Sequence, residues 1–394
     1  MSLLPAFVFP NFNIHSTPLL ILVLQGLIFV GLLLVKYAKN KNPSDLLLAL
    51  ILLLVCYQQT CYTVGFMGWY DTFRNTKINY WLMPIALALG PMIYIYVRSV
   101  TTSVFRFTRK DLRHFILAIA LVIYRVSIYT YDTLQTGFDA TQNGVLKLAL
   151  DEPIVLPILN FLNFAVMLLY LAFTFQLFYN YRNKIQQYFS NTYKLELNWI
   201  LSFLVVFTAL FLYGTIQTLI NEYVTELSYK QQWWLNLFMA IITIYVGIRG
   251  YFTDTTKLKR LNFTFTPNPI SIPQVEKDKG VSQEEIDHVR TYMEKEKPYL
   301  NPELNLSDLA TALDMSRAQL SQVINNGFNK NFNDFVNSFR IDTFKEKLKE
   351  GKHKQLSLLG IAYDSGFNSK ATFNRVFKKL TSTSPTEYLN SHIQ

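Results

Sequence analysis

A chain of 394 residues that is 51% apolar and only 16% charged, with a mean hydropathy of +0.17, is not an ordinary soluble domain. Its formal charge is +10, yet from Val281 onward 15 Lys and Arg face 14 Asp and Glu, so the basic excess lies almost wholly earlier. Nearly all the excess hydrophobicity also precedes Asp254, which is the pattern of a membrane domain carrying a soluble tail.

In chain order, seven stretches are apolar and long enough to cross about 30 Å of hydrocarbon: Pro18 to Val35, Asp45 to Phe66, Tyr80 to Val97, Leu112 to Tyr131, Ile154 to Tyr179, Glu196 to Ile220 and Gln232 to Phe252. No Lys or Arg precedes Pro18, so the first is expected to be a span and not a signal peptide. Lys36, Lys39 and Lys41 follow span one, and Arg98, Arg106, Arg109, Lys110 and Arg113 follow span three. Arg182, Lys184 and Lys194 follow span five, and Arg249, Lys257, Lys259 and Arg260 follow span seven. The alternate connections hold few cations (Arg74, Lys77, Lys147, Lys230) and most of the acids. The positive-inside rule then puts the N-terminus outside and the tail in the cytoplasm. Trp69, Tyr70, Tyr80, Trp81, Trp233 and Trp234 are expected to mark the outer interface and Trp199 the inner one.

Inside the spans there is no Asp or Glu away from a helix end, which disfavours ion-coupled transport. Gln25, Gln58, Gln59, Thr60, Asn160, Asn163 and Gln217 are expected to make interhelical hydrogen bonds. Arg125 stands apart within the fourth span. It is expected either to snorkel outward or pair with an acid such as Asp132 or Glu222, or else to anchor an anionic ligand from outside. Cys56 and Cys61 are five apart in one helix and imply no disulfide, and the five His are scattered. No catalytic, metal-binding or cofactor motif is present, so no catalytic residue, metal or cofactor is expected. The expected domains are 1–252 in the membrane, a linker at 253–280 and a soluble domain at 281–394. The linker begins with Lys257, Lys259 and Arg260 and continues as the Pro-broken TFTPNPISIPQ, a basic patch for anionic headgroups followed by a semi-stiff spacer.

The tail shows one layout twice. Leu306 to Asn326 begins with a helix carrying Leu309, Ala310 and Leu313, turns at Asp314-Met315, and restarts at Ser316, which forms a Ser-x-x-Gln capping box with Gln319. Leu320, Val323 and Ile324 face inward there, while Arg317, Ala318, Ser321, Gln322 and Asn325 face out. Ser357 to Asp364 repeats the first helix, with a turn at Gly366, a cap at Ser369 and a second helix burying Phe373, Val376 and Phe377. Its outward face holds Lys370, Ala371, Asn374, Arg375, Lys378 and Lys379, with no acid. Each half reads as a helix-turn-helix, so the whole chain is expected to be all-α.

Glu284 to His392 resembles the DNA-binding domain of the AraC/XylS family of bacterial transcription regulators. The resemblance is most specific in Ile361 to Tyr388, with its Ala-x-x-x-Gly-Phe, Ser-x-x-x-Phe-x-Arg-x-Phe-Lys and Ser-Pro-x-Glu-Tyr elements. It implies two helix-turn-helix units joined by a long helix, here Phe332 to Glu350, lying in successive major grooves of promoter DNA. It implies base reading by Ala318, Ser321 and Gln322 in the first unit and by Lys370, Ala371, Asn374 and Arg375 in the second. Asp314 stands where the family commonly has Gly, and Asp tolerates the left-handed turn at modest cost.

The expected function is therefore a membrane-embedded transcription regulator of the bacterial cytoplasmic membrane. Its tail binds promoter DNA and, by resemblance, contacts RNA polymerase; a dimer or a tandem arrangement fits. The stimulus would be a small molecule, a lipid, a membrane partner or bilayer stress. The alternative is a transporter or membrane enzyme with a DNA-binding regulatory tail.

Overall fold

The computed structural model describes residues 9–73, 75–81, 86–102, 104–192, 195–228, 230–253 and 281–392. Among them all regular structure is helical apart from one isolated bridge between Phe189 and Asn305. The linker expected at 253–280 lies, after Thr253, outside the described residues. The described residues fall into two compact units. Residues 9–178 and 198–253 make the first; 179–197, a segment inside the expected membrane domain, join 281–392 in the second.

The first unit contains α1 (Ser16–Asn40), α2 (Pro43–Phe66), α3 (Ala86–Thr101), α4 (Ile116–Thr133), the greater part of α5 (Leu156–Tyr188), α6 (Asn198–Tyr223) and α7 (Trp233–Phe252). Six helical stretches are long and apolar enough to cross a membrane: α1, α2, Arg109–Thr133, Lys147–Tyr188, α6 and α7. Of the third expected span, the described part is helical over Ala86–Thr101, and residues 82–85 lie outside the described residues. Tyr80, expected at the interface as the start of that span, is instead fully buried in a separate 3₁₀ turn. Its hydroxyl donates to Asp132 at 2.6 Å and accepts from the Gly144 N–H at 2.7 Å.

Helices α1, α2 and α7 pack on one another through small residues. A Cβ on Gly250 would stand 2.0 Å from Leu48, so only glycine lets α7 approach α2 this closely. Lys36 ties the same three helices, pairing with Asp45 at 3.2 Å and donating to the Tyr251 carbonyl at 2.7 Å. The amides expected to bridge helices are used differently. Gln58, Gln59, Asn160 and Asn163 line a cavity of about 480 Å³ together with Tyr62, Phe164, Phe211 and Asn236. Gln59 Oε1 and Asn163 Oδ1 are buried there with no hydrogen-bond partner, and Thr60 bonds back to Cys56 of its own helix at 2.7 Å.

Arg125 is buried on α4, where it meets the Asp151 carboxylate and not Asp132 or Glu222. Lys147 donates to the same carboxylate at 2.8 Å, and the Tyr124 hydroxyl also donates to it at 3.1 Å. Asp132 is engaged elsewhere, by Tyr80 and the N–H groups of Leu146 (2.8 Å) and Lys147 (3.1 Å). Asp151 thus holds two cations, and losing one leaves it paired. We expect Arg125→Ala to destabilise the detergent-solubilised protein only modestly. Arg125→Ala with Lys147→Ala should cost the full ~3–5 kcal/mol of an abandoned buried charge, read as the difference between the two thermal midpoints.

Candidate nucleic-acid interface

The second unit is built on α8 (Gln283–Glu296), α9 (Leu306–Ala312), α10 (Arg317–Gln322), α11 (Phe332–Lys349), α12 (Leu358–Asp364), α13 (Lys370–Thr381) and α14 (Pro385–His392). Its two cores share α11. Phe332, Phe335 and Val336 pack with Leu309, Leu313, Leu320 and Ile324, whereas Ile341, Phe344 and Leu348 pack with Ile361, Phe367, Phe373 and Phe377. One helix thereby fixes two helix-turn-helix units.

The local signals place the second helix of each unit. Ser316 Oγ accepts from the Gln319 N–H at 3.2 Å, and Gln319 Oε1 accepts from the Ser316 N–H at 3.1 Å, so α10 starts where the capping box requires. Asp314 makes the first turn at φ 52°, the left-handed geometry expected of it. In the second unit Ser369 caps α13 through the Thr372 N–H. Gly366 turns at φ 94°, and a Cβ there would meet the Tyr299 carbonyl oxygen at 2.3 Å, so glycine is required by both backbone and space. The Ser-Pro-x-Glu-Tyr element caps α14: the Ser384 N–H donates to Glu387 at 2.7 Å and holds that carboxyl below the usual carboxylate range.

On α10, Arg317, Ala318 and Asn325 (just beyond its last turn) are exposed, and Ser321 and Gln322 are half-buried. Asn325 donates to Ser321 at 3.2 Å. On α13, Lys370, Ala371, Asn374, Arg375, Lys378 and Lys379 are all exposed. These six divide into two stripes at i, i+4, i+8 spacing. Lys370, Asn374 and Lys378 form one, which makes no ion pair among the described residues. Ala371, Arg375 and Lys379 form the other, whose cations are occupied. Lys379 pairs with Asp334 of α11 at 2.7 Å, and Arg375 pairs with Glu196 at 2.9 Å.

The residues that organise this unit most strongly were not singled out from the sequence. Asn333, Asn337 and Arg340 project from one side of α11 and are nearly or fully buried. Arg340 donates to the carbonyls of Tyr299 (2.7 Å) and Asn301 (2.9 Å), to Asn337 Oδ1 (3.1 Å) and to Ser190 Oγ (3.1 Å). Burial pushes its guanidinium down to about 9 while Glu303 opposes the shift, so it stays charged at neutral pH. The signal was a polar i, i+4, i+7 row on a helix otherwise lined with Phe, Val and Ile.

The family profile described as "Helix-turn-helix domain" matches residues 309–391. Uncharacterized HTH-type transcriptional regulators of Staphylococcus aureus strains COL and MSSA476 are each 28% identical to this chain over 108 residues. That match covers 27% of this chain and 14% of each relative. No solved structure matches the chain. Residues 309–391 are thus an AraC-type helix-turn-helix domain, carried on the same chain as six long apolar helices.

Proposed function

We propose that the protein is a one-component transcription regulator held in the bacterial cytoplasmic membrane by seven spans, α3 among them. Its N-terminus lies outside and its double helix-turn-helix unit in the cytoplasm, where it binds promoter DNA and contacts RNA polymerase. The observation that carries this reading is the pair of capped helices, α10 and α13, displaying Arg317, Ser321, Gln322, Lys370, Asn374, Arg375 and Lys378 from a shared scaffold. Arg and Lys donate to guanine edges and phosphates, Asn and Gln to adenine edges. The nearly neutral tail leaves affinity to these local groups, so binding should weaken steeply with salt.

The membrane unit is read as the sensor. Its support is the cavity of about 480 Å³, within the size range of small-molecule sites, where buried amide oxygens lack a donor. A compact, mostly apolar molecule with one or two hydrogen-bond donors fits that lining, and no carboxylate stands among its walls.

Genome-wide mapping of DNA bound by the intact protein tests the reading. We expect enrichment at a restricted set of promoters, and Arg375→Ala to weaken binding to a recovered promoter fragment by about 1–3 kcal/mol with the fold intact. Uniform recovery of the genome, or an Arg375→Ala change that costs no affinity in a Glu196→Gln background, would show that α13 does not read sequence.

A further inference from the structure

The segment between α5 and α6 is not a free connection. Phe189, Ser190, Thr192, Leu195 and Glu196 are each buried, and Phe189, Ser190 and Glu196 find partners among residues 281–392. The Ser190 N–H donates to the Leu304 carbonyl at 3.2 Å and Ser190 Oγ to the same oxygen at 2.6 Å. The Phe189 and Ser190 carbonyls accept from Asn333 at 3.2 and 2.7 Å, and Asn337 adds a bond to Ser190 at 3.3 Å. Arg340 closes on Ser190 Oγ. Within the second unit, the polar row on α11 is therefore the floor of a cleft between the two helix-turn-helix halves, and the segment fills it. Without that segment, several buried donors and acceptors would lose their partners, which costs more than the bonds themselves contribute.

From this anchor the same segment reaches the reading helix at two places. Asn191 donates to Asn368 at 2.6 Å, one residue before the α13 cap, and Asn368 in turn donates to Glu303 at 3.0 Å. Glu196 receives Arg375 at 2.9 Å while also holding Thr192 (2.7 Å) and Arg182 (3.5 Å). The Arg375 side chain keeps 47% of its exposure against 2% for Glu196, so the contact occupies the guanidinium without hiding it. One guanidinium cannot serve this carboxylate and a guanine or phosphate in the same geometry.

We propose that residues 189–192 and 195–196 are an intramolecular latch: the cleft between the two helix-turn-helix units receives them, and in the seated state Glu196 withholds Arg375 from DNA. The proposal rests on the DNA-binding reading above and adds its regulation. Release of the segment frees Arg375 for DNA. The segment directly continues α5, which also lines the cavity through Asn160, Asn163 and Met167, so whatever moves that helix is covalently joined to the latch. Affinity for DNA then scales with the unlatched fraction, and a protein latched nine times in ten binds about tenfold more weakly than an open one.

The test uses the full chain in lipid nanodiscs and a promoter fragment recovered by the mapping, with fluorescence anisotropy as readout. Glu196→Gln should tighten specific binding roughly tenfold, within the span common for coupled sites. In an Arg375→Ala background the same change should give no gain, since the partner it releases is gone. A second arm guards against misfolding of Glu196→Gln. Asn191→Cys and Asn368→Cys, in a Cys56→Ser, Cys61→Ser background, are joined by a short reducible thiol cross-linker. The linked protein should bind at least tenfold more weakly and recover on reduction. Equal affinity of parent and Glu196→Gln, a gain that survives Arg375→Ala, or a cross-link without effect would each overturn the latch while leaving DNA binding standing. If none of these proteins prefers the promoter fragment over a shuffled duplex, the DNA-binding reading falls and takes the latch with it.

Discussion

Phe377→Ala is expected to destabilise the second helix-turn-helix unit by about 3–5 kcal/mol, enough to unfold α13 in a large share of molecules. Phe377 is fully buried, and its ring lies 5.4 Å from Phe344, 5.7 Å from Phe373 and 5.5 Å from Tyr388. Truncation removes its transfer energy and leaves a cavity among three aromatic rings that cannot easily collapse, because α11 is also held by the first core. Hydrogen exchange on the full chain should show loss of protection across α12 to α14, with α8 to α10 still protected. Phe377→Leu, which keeps most of the volume, should recover most of it. Retained protection in the Ala variant would mean that the second core does not depend on this ring.

The other large effect is expected at Arg340. Arg340→Met keeps the apolar stem but strands the Tyr299 carbonyl and takes one bond each from the Asn301 carbonyl, Asn337 and the Ser190 hydroxyl. Breaking a buried charged network from one side costs about 3–5 kcal/mol. Arg340→Lys should rescue little, since a point cation cannot reproduce a planar fork serving three segments. Loss of exchange protection should appear in α11, in residues 298–301 and in residues 189–192 together. An effect confined to α11 would mean that Arg340 fills space without tying the units. The two variants also separate two sources of order. Phe377 acts within one core by packing, whereas Arg340 acts between segments through directed bonds.

Much of the domain was legible because its code is short-range. The Ser316–Gln319 capping box, the Ser369 cap, the left-handed Asp314 and Gly366 turns and the inward Phe373, Val376, Phe377 spacing all operate within four residues. The apolar runs before Asp254 were equally plain, since lipid demands continuous hydrophobicity. Span boundaries were less so. Hydrophobicity continues through Tyr80 and Trp81, but hydrogen bonds to Asp132 and Gly144 hold Tyr80 in a 3₁₀ turn of its own. Glu196 looked like the first residue of the sixth span; α6 starts at Asn198, and the carboxylate serves Arg375 instead.

By itself the sequence determined an all-α chain, a lipid-compatible front part and a tail with two capped helix-turn-helix units, because periodicity, capping and turn chemistry are written between near neighbours. Only the tertiary structure decided that Arg125 meets Asp151, that Gln59 and Asn163 face a cavity, and that Ser190 lies against Arg340, 150 positions away. Such pairings arise when folding brings complementary polar groups into one low-dielectric space, and no spacing along the chain records which distant group will satisfy a buried charge.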